Sequence, residues 1–185
     1  MNKLEVALVA LLVGWLLSQL TEVLKSKCKI KKLKMAISLE LKDLEELLAE
    51  RNKTAKKSAL EYGHALNYTC SLGAPVSTPI IDSFYSDVAD KFTKEQRYNI
   101  RVFLDHIRAY NSIVEFIEKS RSGTATQNEI VFKLFEAYKQ TAFASIYIHE
   151  ANKVGGIVKI TDDHESLIQL RDSLPELINK LAIKS

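Results

Sequence analysis

Apolar and polar positions divide this chain into two regimes. From Val6 to Thr21 the sequence reads VALVALLVGWLLSQLT, sixteen residues without a formal charge, and the longer stretch from Leu4 to Leu24 adds only Glu5 and Glu22, near its ends. A helix of that length rises about 30 Å, the thickness of a bilayer's hydrocarbon core. The pattern predicts a transmembrane anchor over 1–24, with Val6, Leu8, Leu11, Leu12, Trp15 and Leu16 in the span. A cleavable signal peptide fits less well, because Lys3 is offset by Glu5 and no small-residue cleavage site follows the apolar run.

Beyond residue 34 the apolar positions become periodic. Ile37, Leu41, Leu44, Leu48, Arg51, Ala55, Ser58, Tyr62, Ala65 and Thr69 advance in alternating steps of four and three, which keeps one seam toward a partner helix. No proline interrupts residues 1–74, so the spanning helix is expected to run on into this seam. Leu41, Leu44 and Leu48 are its strongest part and the expected site of helix association, where Asp at Leu44 and Leu48 would abolish oligomerisation. The following AERNKTAKKSA, residues 49–59, is too polar and small for a strict coiled-coil dimer. The seam therefore reads as one face of a bundle, with self-association centred on Leu41 to Leu48.

Breaks and caps divide the remainder. Gly73, Pro75 and Pro79 interrupt the first long helix, and Thr78 with Pro79 starts a short one reaching about Lys91. Thr93 with Gln96, and Thr126 with Glu129, have capping-box spacing ahead of helices over about 94–120 and 127–154. Gly123 and the pair Gly155 and Gly156 mark their ends. A last helix starts at Asp162 or Asp163, and Pro175 should kink or restart it, with Ser173 capping the second piece. Leu167, Leu170, Leu174, Leu177 and Leu181 form its apolar line. The fold class is all-α: one N-terminal transmembrane helix continuing into a cytoplasmic antiparallel helical bundle over 35–185.

Composition agrees, with 6 Gly, 3 Pro and 46% hydrophobic residues in 185. Charge adds a direction. The net +3 is local, because residues 1–34 hold seven lysines against two glutamates and leave 19 of the 26 basic and 21 of the 23 acidic residues beyond them. Lys25, Lys27, Lys29, Lys31, Lys32 and Lys34 form a basic juxtamembrane segment, 25–34, placed to contact lipid head groups. Positive charge is retained on the cytoplasmic side, so the N-terminus is expected outside and the bundle inside, at the cell inner membrane. A reducing cytoplasm would keep Cys28 and Cys70 as thiols. Without a net basic balance beyond residue 34, nucleic acid is not an expected partner.

No motif assigns a reaction. Glu61 and His64 make one Glu-x-x-His pair, whereas a di-metal bundle needs two; His149 and Glu150 begin a zinc-helix pattern that fails at Lys153. Asp162, Asp163, His164 and Glu165 read as a helix start. The sequence therefore predicts no catalytic residues, metal ligands, cofactor or small-molecule ligand, and no enzyme. The expected role is a single-pass membrane-anchored protein acting as a protein-interaction, scaffold or regulatory module, with the bilayer and a protein partner or a second copy as its contacts. The alternative is a membrane-perturbing effector that oligomerises through its N-terminal span, where Gly14 and Ser18 are four apart.

Overall fold

The computed structural model describes residues 2–62, 71–120, 123 and 125–182; inside the helices, the side chains of 3–6, 9 and 180–182 are not described. The expectations for His64, Ala65, Thr69 and Cys70, and for the Leu181 side chain, lie outside the described residues. All regular structure among the described residues is helical. The elements are α1 (Lys3–Tyr62), α2 (Pro79–Val88) with a 3-10 turn (Ala89–Lys91), α3 (Lys94–Ser120), α4 (Gln127–Asn152) and α5 (Glu165–Ala182).

Helix α1 is a single uninterrupted rod of 60 residues. Good helix formers fill it, Gly14 is its one glycine, and it contains no proline. Its packing begins only at Ile30 and Leu33 and is complete at Ile37. Beyond that point it runs antiparallel to α4, because the cross-contacts descend in one helix as they climb in the other. Gln127 meets the Tyr62 carbonyl, Asn52 meets Tyr138 and Thr141, Glu45 meets His149, and Asn152 meets the Leu41 carbonyl. Helix α3 packs antiparallel on α4 too, with His106 beside Gln140 and Gln96 beside the Ala151 carbonyl. Helix α4 is thus the middle of the bundle, flanked by α1 and α3, and is buried on most of its circumference.

The seam of α1 lies in this core. Ile37, Leu41, Leu44 and Leu48 are buried, and Ala55, Ser58 and Ala59 continue the buried line. The small residues that weaken a coiled-coil reading here let α1 approach α4 closely, and the Asn52 amide fastens the contact to the Tyr138 carbonyl and the Thr141 hydroxyl at 3.0 Å each. The bundle-face expectation therefore holds. Leu41, Leu44 and Leu48, at 4% exposure or less, are turned into the chain's own core and offer no free surface for a second copy while the bundle is closed.

Both capping boxes form. Thr93 and Gln96 exchange side-chain to backbone bonds at 3.1 Å, and Thr126 and Glu129 do the same. Two boundaries differ from expectation. Thr78 makes no cap bond; its hydroxyl donates to Asp82, and α2 is capped from another helix, as described below. Helix α5 begins at Glu165 and passes through Pro175 without a restart. Proline removes one N–H and leaves the rest of the ladder intact, while the Ser173 hydroxyl bonds back to the Leu170 carbonyl at 2.7 Å instead of capping a new helix.

Candidate functional site

The first turns of α1 present a surface that is exposed among the described residues. Leu8, Leu11, Leu12, Val13, Trp15, Leu16, Leu17, Leu20, Val23 and Leu24 are all at least 49% exposed, and Leu11 reaches 75%. At about 100° per residue these large side chains occupy roughly two thirds of the helix circumference, and Ala7, Ala10, Gly14, Ser18 and Thr21 fill the rest. Gln19 and Glu22 are the polar exceptions within that arc, and the polar positions do not gather into the one broad polar face of an amphipathic helix that lies along an interface. The Thr21 hydroxyl donates to the Leu17 carbonyl at 2.8 Å, so its polar group is satisfied within the helix.

Of the residues expected in a span, Leu8, Leu11, Leu12, Trp15 and Leu16 lie on this surface, and the backbone of Val6 is in the same helix. Among the described residues no helix is long and apolar enough to cross a membrane. The apolar run opens with Leu4, Val6 and Val9, whose side chains are outside that description.

The lysine segment follows on the same unbroken helix. Lys25, Lys29 and Lys32 project to one side and Lys27, Lys31 and Lys34 to the other, so the charge lies on two opposite faces of the rod. Five of the six are exposed, and Lys34 is different. Its ammonium donates to the Lys91 carbonyl at 2.8 Å and sits 5.3 Å from the centre of the Phe92 ring, at the end of the 3-10 turn that follows α2. Cations favour the carbonyl end of a helix, and Arg97 joins it there through the Phe92 carbonyl at 3.0 Å. Sequence reasoning grouped Lys34 with the head-group contacts; the fold binds it into the bundle.

At the other end of α2, Glu40 of α1 accepts the N–H groups of Ile80 at 3.0 Å and Ile81 at 2.6 Å. Helix α2 is therefore clamped to α1 at both ends, by a carboxylate at its positive end and an ammonium at its negative one. Ion pairing along α1 is legible as sequence spacing only for neighbours within a helix, so a contact from Glu40 to residues forty positions away leaves no local signal.

The bundle surface contains shallow hollows. One, about 590 Å³, lies between α1 and the C-terminal end of α4 and includes Met35, Leu39, Phe92, His149 and Val154. Beside it, Glu150 is buried. Its carboxylate accepts the Val158 N–H at 2.9 Å and pairs with Lys153. Burial alone would raise the Glu150 pKa, but the Lys153 ammonium and the Val158 N–H hold it below the ordinary value. Asn99 completes this clamp, donating to the Val158 carbonyl and accepting from Ile160. These bonds fix the segment between α4 and α5.

The expected chemistry-bearing residues are dispersed. His149 bonds Glu45 at 2.7 Å, His106 bonds Gln140 and stacks on Phe143, and Asp162 pairs with Arg171. Glu61 pairs with Lys57. Among the described residues no group of three or more His, Cys, Asp or Glu is placed to hold a metal ion.

No family model, curated protein or solved structure matches the chain.

Proposed function

We propose that this chain is a single-pass membrane-anchored protein whose helical bundle is a protein-interaction, scaffold or regulatory module. One observation carries the reading: the first third of α1 holds a mostly apolar surface that stays exposed among the described residues, and a band of lysines separates it from the bundle on one continuous helix. Ten large apolar side chains in water represent a loss of roughly 1.5 to 3 kcal/mol each relative to burial. A bilayer covers such a surface, and the lysine band supplies the retention signal that places 35–185 on the cytoplasmic side with the N-terminus outside. The domain division is then 1–24 anchor, 25–34 juxtamembrane segment and 35–185 bundle. Because the helix is unbroken, the bundle stands at a height set by α1.

The test is fractionation of cells expressing the full chain, followed by an alkaline carbonate wash and, in sealed vesicles, protease from either side. An anchor stays in the membrane pellet through the wash, and protease reaches the bundle only from the cytoplasmic face. Release by carbonate, or cleavage of the bundle from outside, rejects the reading.

A further inference from the structure

We infer that the lysine band of α1 is a binding surface for anionic phospholipid head groups, made by Lys25, Lys27, Lys29, Lys31 and Lys32 and not by Lys34. The inference rests on the membrane-anchor reading and names the lipid class that the anchor meets. Lys25 and Lys29, and Lys27 and Lys31, are four residues apart; Lys29 and Lys32, and Lys31 and Lys34, are three apart. Like charges at those spacings repel along a helix and weaken it. Residues 23–39 contain no acidic residue, and Glu22, three before Lys25, is the one carboxylate on α1 within a turn of the band. Glu40 holds the α2 N-terminus and Asp90 pairs with Lys91.

Five exposed ammonium groups clustered on an ordered helix favour an anionic partner, whose binding relieves their mutual repulsion. Their position decides its kind. The band begins directly after Leu24, so its first turns lie at the level of lipid phosphates when the apolar segment is in the hydrocarbon core, and its lysines lie on two opposite faces of the rod, both of which lipid can reach. A nucleic acid or an acidic protein would meet one side of such a rod. Lys34, about 15 Å beyond Leu24 along the axis, is withheld by the Lys91 carbonyl and the Phe92 ring.

The experiment uses the full chain reconstituted into phosphatidylcholine bilayers with a trace of head-group-labelled phosphatidylglycerol or, separately, labelled phosphatidylcholine. Energy transfer from Trp15, the one tryptophan, reports how much of each label gathers around the protein. Each lysine near an anionic surface is worth on the order of fivefold in partitioning. The anionic label should be enriched several-fold over the neutral one, and the excess should vanish at about 0.5 M salt. Replacing the five lysines by Gln should bring the two labels to parity at unchanged helix content, whereas Lys34→Gln should lower the excess less than Lys31→Gln. Parity in the native chain at low salt overturns the inference, as does an excess that survives the fivefold replacement, or displacement of the anionic label by a random single-stranded oligonucleotide. Flotation with the same vesicles separates the two readings. A chain that floats through a carbonate wash without lipid preference retains the anchor and loses the inference; one that floats only with anionic vesicles and is stripped by salt does the reverse.

Discussion

Glu40 on α1 holds the amide of Ile81 at 2.6 Å, and that of Ile80 through its other oxygen, so a helix N-terminus forty residues away is capped by a side chain that is 8% exposed. Glu40→Ala leaves two N–H donors without their acceptor in a poorly hydrated site. The expected loss is about 1 to 3 kcal/mol, a fall in melting temperature of roughly 2 to 4 °C per kcal/mol at this chain length. Glu40→Gln keeps one acceptor oxygen and should lose less. Equal melting of all three proteins by circular dichroism would show that the clamp contributes nothing.

The Glu150 clamp predicts an acid-sensitive junction. Its folded-state pKa is depressed by Lys153 and the Val158 N–H, which outweigh burial. A carboxylate of this kind contributes stability that is present above its unfolded pKa of about 4.3 and is lost as pH falls through the lower folded value. Amides of 158–160 should therefore exchange faster with hydrogen isotope below about pH 4, and Glu150→Gln should flatten that dependence while lowering stability at pH 7. A junction whose exchange, corrected for intrinsic rates, is flat across this range would exclude the mechanism.

Leu48 is fully buried and Leu44 nearly so. Leu48→Ala should cost about 2 to 5 kcal/mol as transfer and cavity terms add. The double change of Leu44 and Leu48 to Asp places two unpaired carboxylates in the core and should unfold the bundle outright. Loss of helicity together with any change in oligomer size supports this burial; an intact bundle with altered stoichiometry would return these leucines to an intermolecular seam.

Local rules carried the fold where both partners lie within one helix. The two capping boxes and the seam from Ile37 through Ser58 follow from spacing, and α3 begins at Lys94 and ends at Ser120 as the sequence indicates. What spacing cannot express is which partner covers a seam. Leu41, Leu44 and Leu48 have the same pattern whether α4 or a second copy packs on them. Thr78 was the obvious cap for α2 until Glu40 arrived from α1, and Lys34 looked like its five neighbours until Phe92 came beneath it. The apolar run and the lysine band were fully legible as chemistry, and the large side chains of the run are exposed among the described residues.

Helix α5 should open before the rest. Leu167 and Leu177 are its buried residues among those described, Ile168 and Ile178 are nearly half exposed, and Pro175 removes an N–H from the middle of the ladder. Few buried apolar contacts mean a low free energy of local opening. Amides of α5 should exchange at least tenfold faster than those of α3 and α4 under native conditions. Pro175→Ala restores a donor and should slow α5 alone. Equal protection across α3, α4 and α5 would show that the helix unfolds only with the whole bundle.

Lys34 joins the two regimes of the chain, and its contribution separates by substitution. Lys34→Met keeps the aliphatic stem over Phe92 and removes both the bond to the Lys91 carbonyl and the charge above the ring. One hydrogen bond from a charged donor and one exposed cation–π contact together suggest a loss of about 1 to 3 kcal/mol. Phe92→Leu removes the ring while leaving an apolar side chain. If the two groups act on each other, the double variant will lose less than the sum of the singles by about 0.5 to 1 kcal/mol. Full additivity in denaturant titrations of the detergent-extracted chain would mean that the ammonium is held by the carbonyl alone. In either case Lys34 differs in kind from Lys31, which is exposed and whose replacement by Met should leave bundle stability unchanged.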